Sequence, residues 1–126
     1  MKVYRKKIKK NKLYNDYVQV LNGVLQLSYR ESEVFSLLLK INDEMKTFIE
    51  AQGDVLATDI RRIIIKETRI SKTNLSKYLD VLKEKNILIP LGEGKWGLND
   101  VFIPEIIDDK VEIIFSLDCN VHSEER

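Results

Sequence analysis

The chain has 126 residues, is 44% hydrophobic and 33% charged, and carries a single cysteine, Cys119. This length predicts one domain whose core needs no metal or disulfide, and a lone Cys suggests a free thiol in a reducing cytosol. No segment reaches the ~18 consecutive apolar residues of a membrane span, and the first residues lack the apolar region of a signal peptide. We therefore expect a cytoplasmic protein that does not contact membranes.

The net charge of only +1 conceals a strong segregation of charge along the chain. Four consecutive blocks alternate in sign, with net charges of +7 over residues 1–13, −5 over 14–59, +5 over 60–99 and −6 over 100–126. We predict a basic N-terminal arm over 1–13, a folded domain over 14–118 and a C-terminal tail over 119–126. The arm is either a solvated tail or a DNA-binding segment that places Arg5, Lys6 and Lys7 on phosphates.

Two local sequence patterns predict the secondary structure at the start of the domain. Asn22-Gly23 lies between two β-rich runs and predicts a hairpin with strands near 16–21 and 24–27, because both central residues of a type I′ turn need a positive φ. The segment Ser28–Glu31 has the pattern of a capping box, and we expect the helix that follows it to end near Asn42.

The next segments are shorter and less regular. Residues 43–53 fit either a loop or a short helix that ends at Gly53, and we favour the helix. Residues 54–57 are predicted to be a short strand that completes the sheet formed by two later strands, near residues 87–91 and 95–98. Thr58 is then expected to cap a helix that covers residues 59 to about 67.

A tight turn and a second helix follow, and this helix begins at the N-cap Ser71 and runs to about Lys85. Leu75, Leu79 and Leu82 fall on one face of it, which we expect to be buried. The outer side of its first two turns carries positive charge and small polar groups, on Lys72, Thr73, Asn74, Ser76 and Lys77. Such side chains at a helix N-terminus suit DNA phosphates and base edges, and the amide of Asn74 would favour adenine.

Further cations precede this helix, in the first helix and in the turn: Arg61, Arg62, Lys66 and Arg69. In a helix-turn-helix the first helix crosses the DNA backbone, so we predict that these residues hold phosphates. The alternative is that they form a solvated basic face without a partner.

After the second helix the pattern changes to two β-rich runs, Ile87–Leu91 and Lys95–Leu98, around a Gly-containing turn. Lys95 is expected to extend the DNA contact, and Trp96 to pack rather than to stack on bases. A further strand is predicted over 111–117, where it would pair with the N-terminal hairpin. The predicted fold is α+β, a winged helix-turn-helix with an N-terminal β-hairpin and an additional C-terminal strand.

Catalytic chemistry has little support in this sequence. One histidine, His122, and one Cys leave no usual nucleophile–base pair and no His/Cys zinc cluster. Gly92-Glu93-Gly94 is too short for a phosphate-binding loop, and a turn explains it better. We therefore predict a binding protein, not an enzyme, with no cofactor and no metal.

The order of these motifs resembles the winged-helix proteins of firmicute plasmid and phage replication, together with related phage regulators. The resemblance covers about residues 16–104. It rests on the recognition segment ISKTNLSKYLDVLKEKNIL and on the closing segment GEGKWGLN, with Trp96 where the family has Tyr and Asp100 where it has Pro. It implies sequence-specific binding of double-stranded DNA, for replication initiation or for gene control.

Two questions stay open at this level. A winged helix also serves as a protein-interaction adaptor without specific DNA binding, and the acidic C-terminal third would suit a basic partner. A replication initiator and a transcription regulator need the same helix, so the replication or transcription machinery is a possible partner in either case. We expect a homodimer, because palindromic DNA sites are common for this motif.

Overall fold

A computed structural model describes residues 2–4, 12–107, 110–111 and 113–115, and it is a mostly helical α+β structure. The helices are α1 (Leu13–Leu25), α2 (Tyr29–Glu44), α3 (Lys46–Gln52), α4 (Thr58–Thr68) and α5 (Lys72–Glu84). The strands are β1 (Lys2–Tyr4), β2 (Leu88–Gly92), β3 (Lys95–Leu98), β4 (Ile106–Ile107), β5 (Lys110–Val111) and β6 (Ile113–Phe115), with a 3-10 turn at Asp100–Phe102. The predicted C-terminal tail, 119–126, lies outside the described residues.

Helix α1 replaces the predicted N-terminal hairpin, which is wrong. Tyr17 and Val18 are buried and Leu21 packs beside them, so the apolar residues follow a helical period and face α2. Asn22 lies within α1 and does not form the predicted turn between two strands. Its side-chain amide donates to the carbonyl of Leu27 at 3.1 Å, and its side-chain carbonyl oxygen accepts from the amide of Leu27 at 2.6 Å. The left-handed residue that ends the helix is Gln26, at φ 55°.

Helix α2 is the centre of the core and packs against α1, α3, α4 and α5. The capping box that starts it is confirmed, since Ser28 Oγ accepts from the amide of Glu31 and the Glu31 carboxylate accepts from the amide of Ser28. Its inward side chains are apolar and almost fully enclosed: Val34, Phe35, Leu38, Leu39 and Ile41. The helix runs two residues past the predicted end.

The short helix predicted within 43–53 is confirmed as α3, and Gly53 ends it at φ 68°. The strand predicted at 54–57 is wrong, because Val55 and Leu56 form a turn. That turn still ties down the hairpin: the amide of Val55 donates to the carbonyl of Trp96 at 2.9 Å, and the Asp54 carboxylate accepts from the amide of Trp96 at 3.0 Å. Thr58 is the first residue of α4, and its predicted cap hydrogen bond is absent.

Three antiparallel strand pairs complete the described part of the chain. β2 and β3 form the predicted hairpin, with Leu88 opposite Leu98. β1 pairs with β6, with Val3 opposite Ile114, and β4 pairs with β5. The described residues of the predicted C-terminal strand lie in β5, which pairs with β4, and in β6, which pairs with β1, so its predicted pairing with an N-terminal hairpin is wrong. None of the described helices is both long and apolar enough to cross a bilayer.

Candidate nucleic-acid interface

The turn between α4 and α5 is held by the side chain of Thr68. The buried hydroxyl of Thr68 donates to the carbonyl of Ile64 at 2.6 Å and accepts from the amide of Ile70 at 3.2 Å. Between these two bonds Arg69 takes a left-handed conformation, with φ 59°, and its amide donates to the carbonyl of Ile65. The angle at which α5 leaves α4 is thereby fixed by hydrogen bonds within the turn.

Helix α5 starts as its sequence predicts. Ser71 Oγ accepts from the amide of Asn74 at 3.1 Å, which satisfies one free amide of the first turn. Ile70 before the cap is buried, and so is the row formed by Leu75, Leu79 and Leu82. Burial of this row fixes the rotation of the helix about its axis, so the opposite side of α5 is turned to solvent.

All five residues predicted to face DNA from this helix are exposed: Lys72, Thr73, Asn74, Ser76 and Lys77. Thr73 and Lys77 are four residues apart and therefore lie above one another, on the side most directly opposite the buried leucines. The hydroxyl of Ser76 donates to the carbonyl of Lys72 at 3.3 Å, so Ser76 offers its oxygen as an acceptor. Two ammonium groups thus lie among small polar groups over two helical turns.

A groove of about 680 Å³ lies between α4 and the start of α5 and brings four of the predicted residues together: Arg61, Arg62, Lys72 and Ser76. The guanidinium of Arg61 is half-buried, and its Nε donates to the carbonyl of Leu56 at 2.9 Å. Arg62 is 77% exposed and lies 3.9 Å from the Asp59 carboxylate, a distance too long for a strong ion pair. Arg61 is therefore held in place, and Arg62 is available to a ligand.

The remaining predicted contacts that the structure describes do not line this groove. Lys66 is exposed one turn after Arg62, and Arg69 is exposed in the turn. Lys95 is exposed at the start of β3, where its side chain runs close to Gly53 at the end of α3. Arg5, Lys6 and Lys7 lie outside the described residues.

Sequence reasoning missed three residues at this surface. Gln52 and Thr58 line the groove beside the arginines and add neutral hydrogen-bonding groups. Arg30 Nη1 donates to Glu33 at 2.7 Å and to the carbonyl of Thr68 at 3.3 Å, which ties the start of α2 to the end of α4. The hydrogen bond and charge of Glu33 raise the pKa of Arg30. No local pattern predicts the positions of Gln52 and Arg30, since each lies beside an element distant in sequence. Thr58 lies one turn before Arg61 and Arg62 on the same helix.

The predicted DNA contacts that the structure describes include six exposed cations and the half-buried Arg61, together with the small polar groups at the start of α5. The exposed cations are Arg62, Lys66, Arg69, Lys72, Lys77 and Lys95. Such an arrangement suits a polyanion with readable hydrogen-bonding edges. Among the described residues no group of His, Cys, Asp or Glu is placed to hold a metal ion. Comparison of the chain with protein-family models, with curated proteins and with solved structures found no match.

Proposed function

We propose that the chain is a winged-helix protein that binds a specific sequence of double-stranded DNA and acts in replication initiation or in transcription control. The observation that carries the proposal is the exposed start of α5, where Lys72, Asn74 and Lys77 stand clear of the core beside the groove of Arg61 and Arg62. In this proposal α5 enters the major groove, and the hairpin β2–β3 is the wing.

The roles of the cations follow from their positions. Lys72 and Lys77 contact phosphates or the guanine edges in the major groove of the DNA, and Asn74 pairs with adenine. Arg62, Lys66 and Arg69 hold the flanking backbone, and Lys95 reaches it from the wing. The arm residues Arg5, Lys6 and Lys7 extend the contact, and a homodimer places two such helices on a palindromic site.

The decisive experiment is a titration of the chain with DNA fragments from the genome region around its own gene, at two salt concentrations. Wild type is compared with Lys72→Ala/Asn74→Ala/Lys77→Ala and with a control that changes the same residue types elsewhere, Lys40→Ala/Asn42→Ala/Lys46→Ala. We expect tight binding of one fragment by wild type and by the control, and its loss in the first variant. Weak and unselective binding that both variants retain would leave the adaptor hypothesis as the better one.

A further inference from the structure

A second groove, of about 520 Å³, lies at the end of α2, where Asn42 and Asp43 line it. It shares no lining residue with the groove of Arg61 and Arg62. Glu50 of α3 lines the second groove, whereas Gln52, two residues later, lines the first, so the two grooves are neighbours along α3 and differ in their lining residues.

The floor of this groove is apolar. Leu39, Ile49 and Leu98 are buried beneath it, and Ile106 of β4 lines its side and is 37% exposed. An apolar surface with a polar rim is typical of a protein-binding site.

The rim of the groove is acidic. Three carboxylates line it, on Asp43, Glu50 and Asp100, against one ammonium, on Lys46. Among the exposed direct neighbours of lining residues, Glu44 and Glu105 add two negative charges and Lys40 adds one positive charge, so the net charge of floor and rim is about −3. Asp43 and Glu44 also sit in the last turn of α2, where the helix dipole disfavours negative charge. The Asp43 carboxylate accepts a hydrogen bond from the hydroxyl of Tyr14, and burial together with this bond raises the pKa of Tyr14.

We propose that this apolar, acid-rimmed groove docks a basic segment of a second protein, one whose apolar side chains enter the groove while its Lys and Arg side chains meet the rim. Charge complementarity selects this occupant. Two copies of the chain placed face to face here would bring two surfaces of about −3 together and repel each other. The proposal does not depend on DNA binding, since the two grooves share no lining residue.

The test uses the full chain and a fluorescein-labelled synthetic peptide, Lys-Ile-Lys-Lys-Ile-Lys, measured by fluorescence anisotropy without DNA. The variant Glu50→Lys/Asp100→Lys reverses two exposed rim charges. Its matched control, Glu67→Lys/Glu84→Lys, makes the same change of charge at exposed positions outside the groove. We expect the rim variant to weaken peptide binding at least tenfold and the control less than twofold. A peptide with Ser in place of both Ile should also bind at least tenfold more weakly.

Equal weakening by both variants would show general charge attraction and would overturn the proposal, as would undiminished binding of the Ser peptide. The variant Arg5→Ser/Lys6→Ser/Lys7→Ser/Lys9→Ser/Lys10→Ser keeps β1 and separates a foreign partner from the chain's own basic arm. If its affinity for the peptide matches that of wild type, the foreign partner stands. If it binds at least tenfold more tightly, the arm is the occupant and the proposal is wrong. Unchanged far-UV circular dichroism shows that each variant is folded.

Discussion

The ammonium of Lys83 lies 4.3 Å from the centre of the Trp96 ring and joins the last turn of α5 to the second strand of the hairpin. Trp96 is half-buried, so this contact is shielded on one side, and a cation over an indole face contributes about 0.5–1 kcal/mol. The backbone of Trp96 is held as well, by Val55 and Asp54. The hairpin is thus fixed against the helix that we propose reads DNA.

Replacing Lys83 with Met keeps most of the side-chain stem and removes the charge. We expect the free energy of unfolding to fall by about 0.5–1 kcal/mol, because the cation–π contact is lost while the packing stays. Trp96 is the only tryptophan of the chain, so its fluorescence reports the change directly. Lys83→Arg, which retains a cation, is the control. An unchanged emission spectrum in the Met variant would show that the ammonium does not lie on the ring in solution.

Lys77 tests the phosphate contacts. With five to six phosphates neutralised, the logarithm of the DNA affinity should fall against the logarithm of salt concentration with a slope near −5, at roughly −0.9 per contact. Lys77→Ala should reduce the magnitude of the slope by about one, whereas Lys40→Ala, on the exposed side of α2, should leave it as it is. An affinity that does not change with salt would contradict the placement of cations on phosphates.

Arg69 combines a charge with an unfavourable backbone conformation. Its φ of 59° lies in the left-handed region, which costs a residue with a side chain about 1 kcal/mol more than glycine. Arg69→Gly should therefore raise the free energy of unfolding by about 0.5–1 kcal/mol while it weakens DNA binding through the lost cation. Urea denaturation of the variant measures the free energy of unfolding, and a DNA titration measures the affinity. If stability and affinity both fell, Arg69 would hold the turn through its side chain.

Arg61 and Arg62 are neighbours with different attachments to the protein. Arg61→Met removes the hydrogen bond to the Leu56 carbonyl and should lower the free energy of unfolding by about 1 kcal/mol. Arg62→Met, at an exposed site with a long ion pair, should change it by less than about 0.5 kcal/mol. Both should weaken DNA binding. Equal thermal midpoints for the two variants would show that the Leu56 hydrogen bond contributes nothing to stability.

Tyr17 gives a pH-dependent contribution to stability. Its hydroxyl donates to the carbonyl of Phe102 at 2.8 Å, and burial raises the pKa of Tyr17 to about 12 from its ordinary value of 10. As the pH rises, the unfolded chain therefore loses the Tyr17 proton before the folded chain does. The contribution of the Tyr17 hydroxyl to the free energy of unfolding is complete below pH 10 and is lost as the pH rises from 10 through 12. Tyr17→Phe should be about 1 kcal/mol less stable than wild type at pH 7, and the difference should close above about pH 11. Urea denaturation at both pH values measures it, and a constant difference would exclude the raised pKa.

The elements predicted best from the sequence are those whose residue pattern is local, within about one turn of helix. Ser28 and Ser71 accept the hydrogen bonds expected of caps, and Leu75, Leu79 and Leu82 are buried as their spacing indicates. The groove contacts depend on distant partners instead. Nothing near Arg61 in the sequence shows that Leu56 accepts from it, and nothing near Gln52 places it beside Lys72.

The failure at Asn22-Gly23 has a physical reason. A turn dipeptide contributes a local preference of a few residues, whereas Leu13, Tyr17, Val18 and Leu21 together bury a helical face against α2. Burial of several large side chains outweighs the preference of one dipeptide, so the helix forms through it. The period of these four residues was a readable signal, and it predicts α1 correctly when it is given more weight than the turn.

The pairing of β1 with β6 bears on the order in which the molecule assembles. Tyr4 pairs with Ile113, so this contact closes nearly the whole length of the chain, whereas α4, α5 and the hairpin β2–β3 are built from neighbours in sequence. Closing a long loop costs entropy before any contact repays it, so local units precede distant ones. We expect the amides of α4 and α5 to become protected from hydrogen exchange early in refolding and those of β1 and β6 last. On a ribosome α4 and α5 would then be complete while the segment that pairs with Tyr4 is still being synthesised.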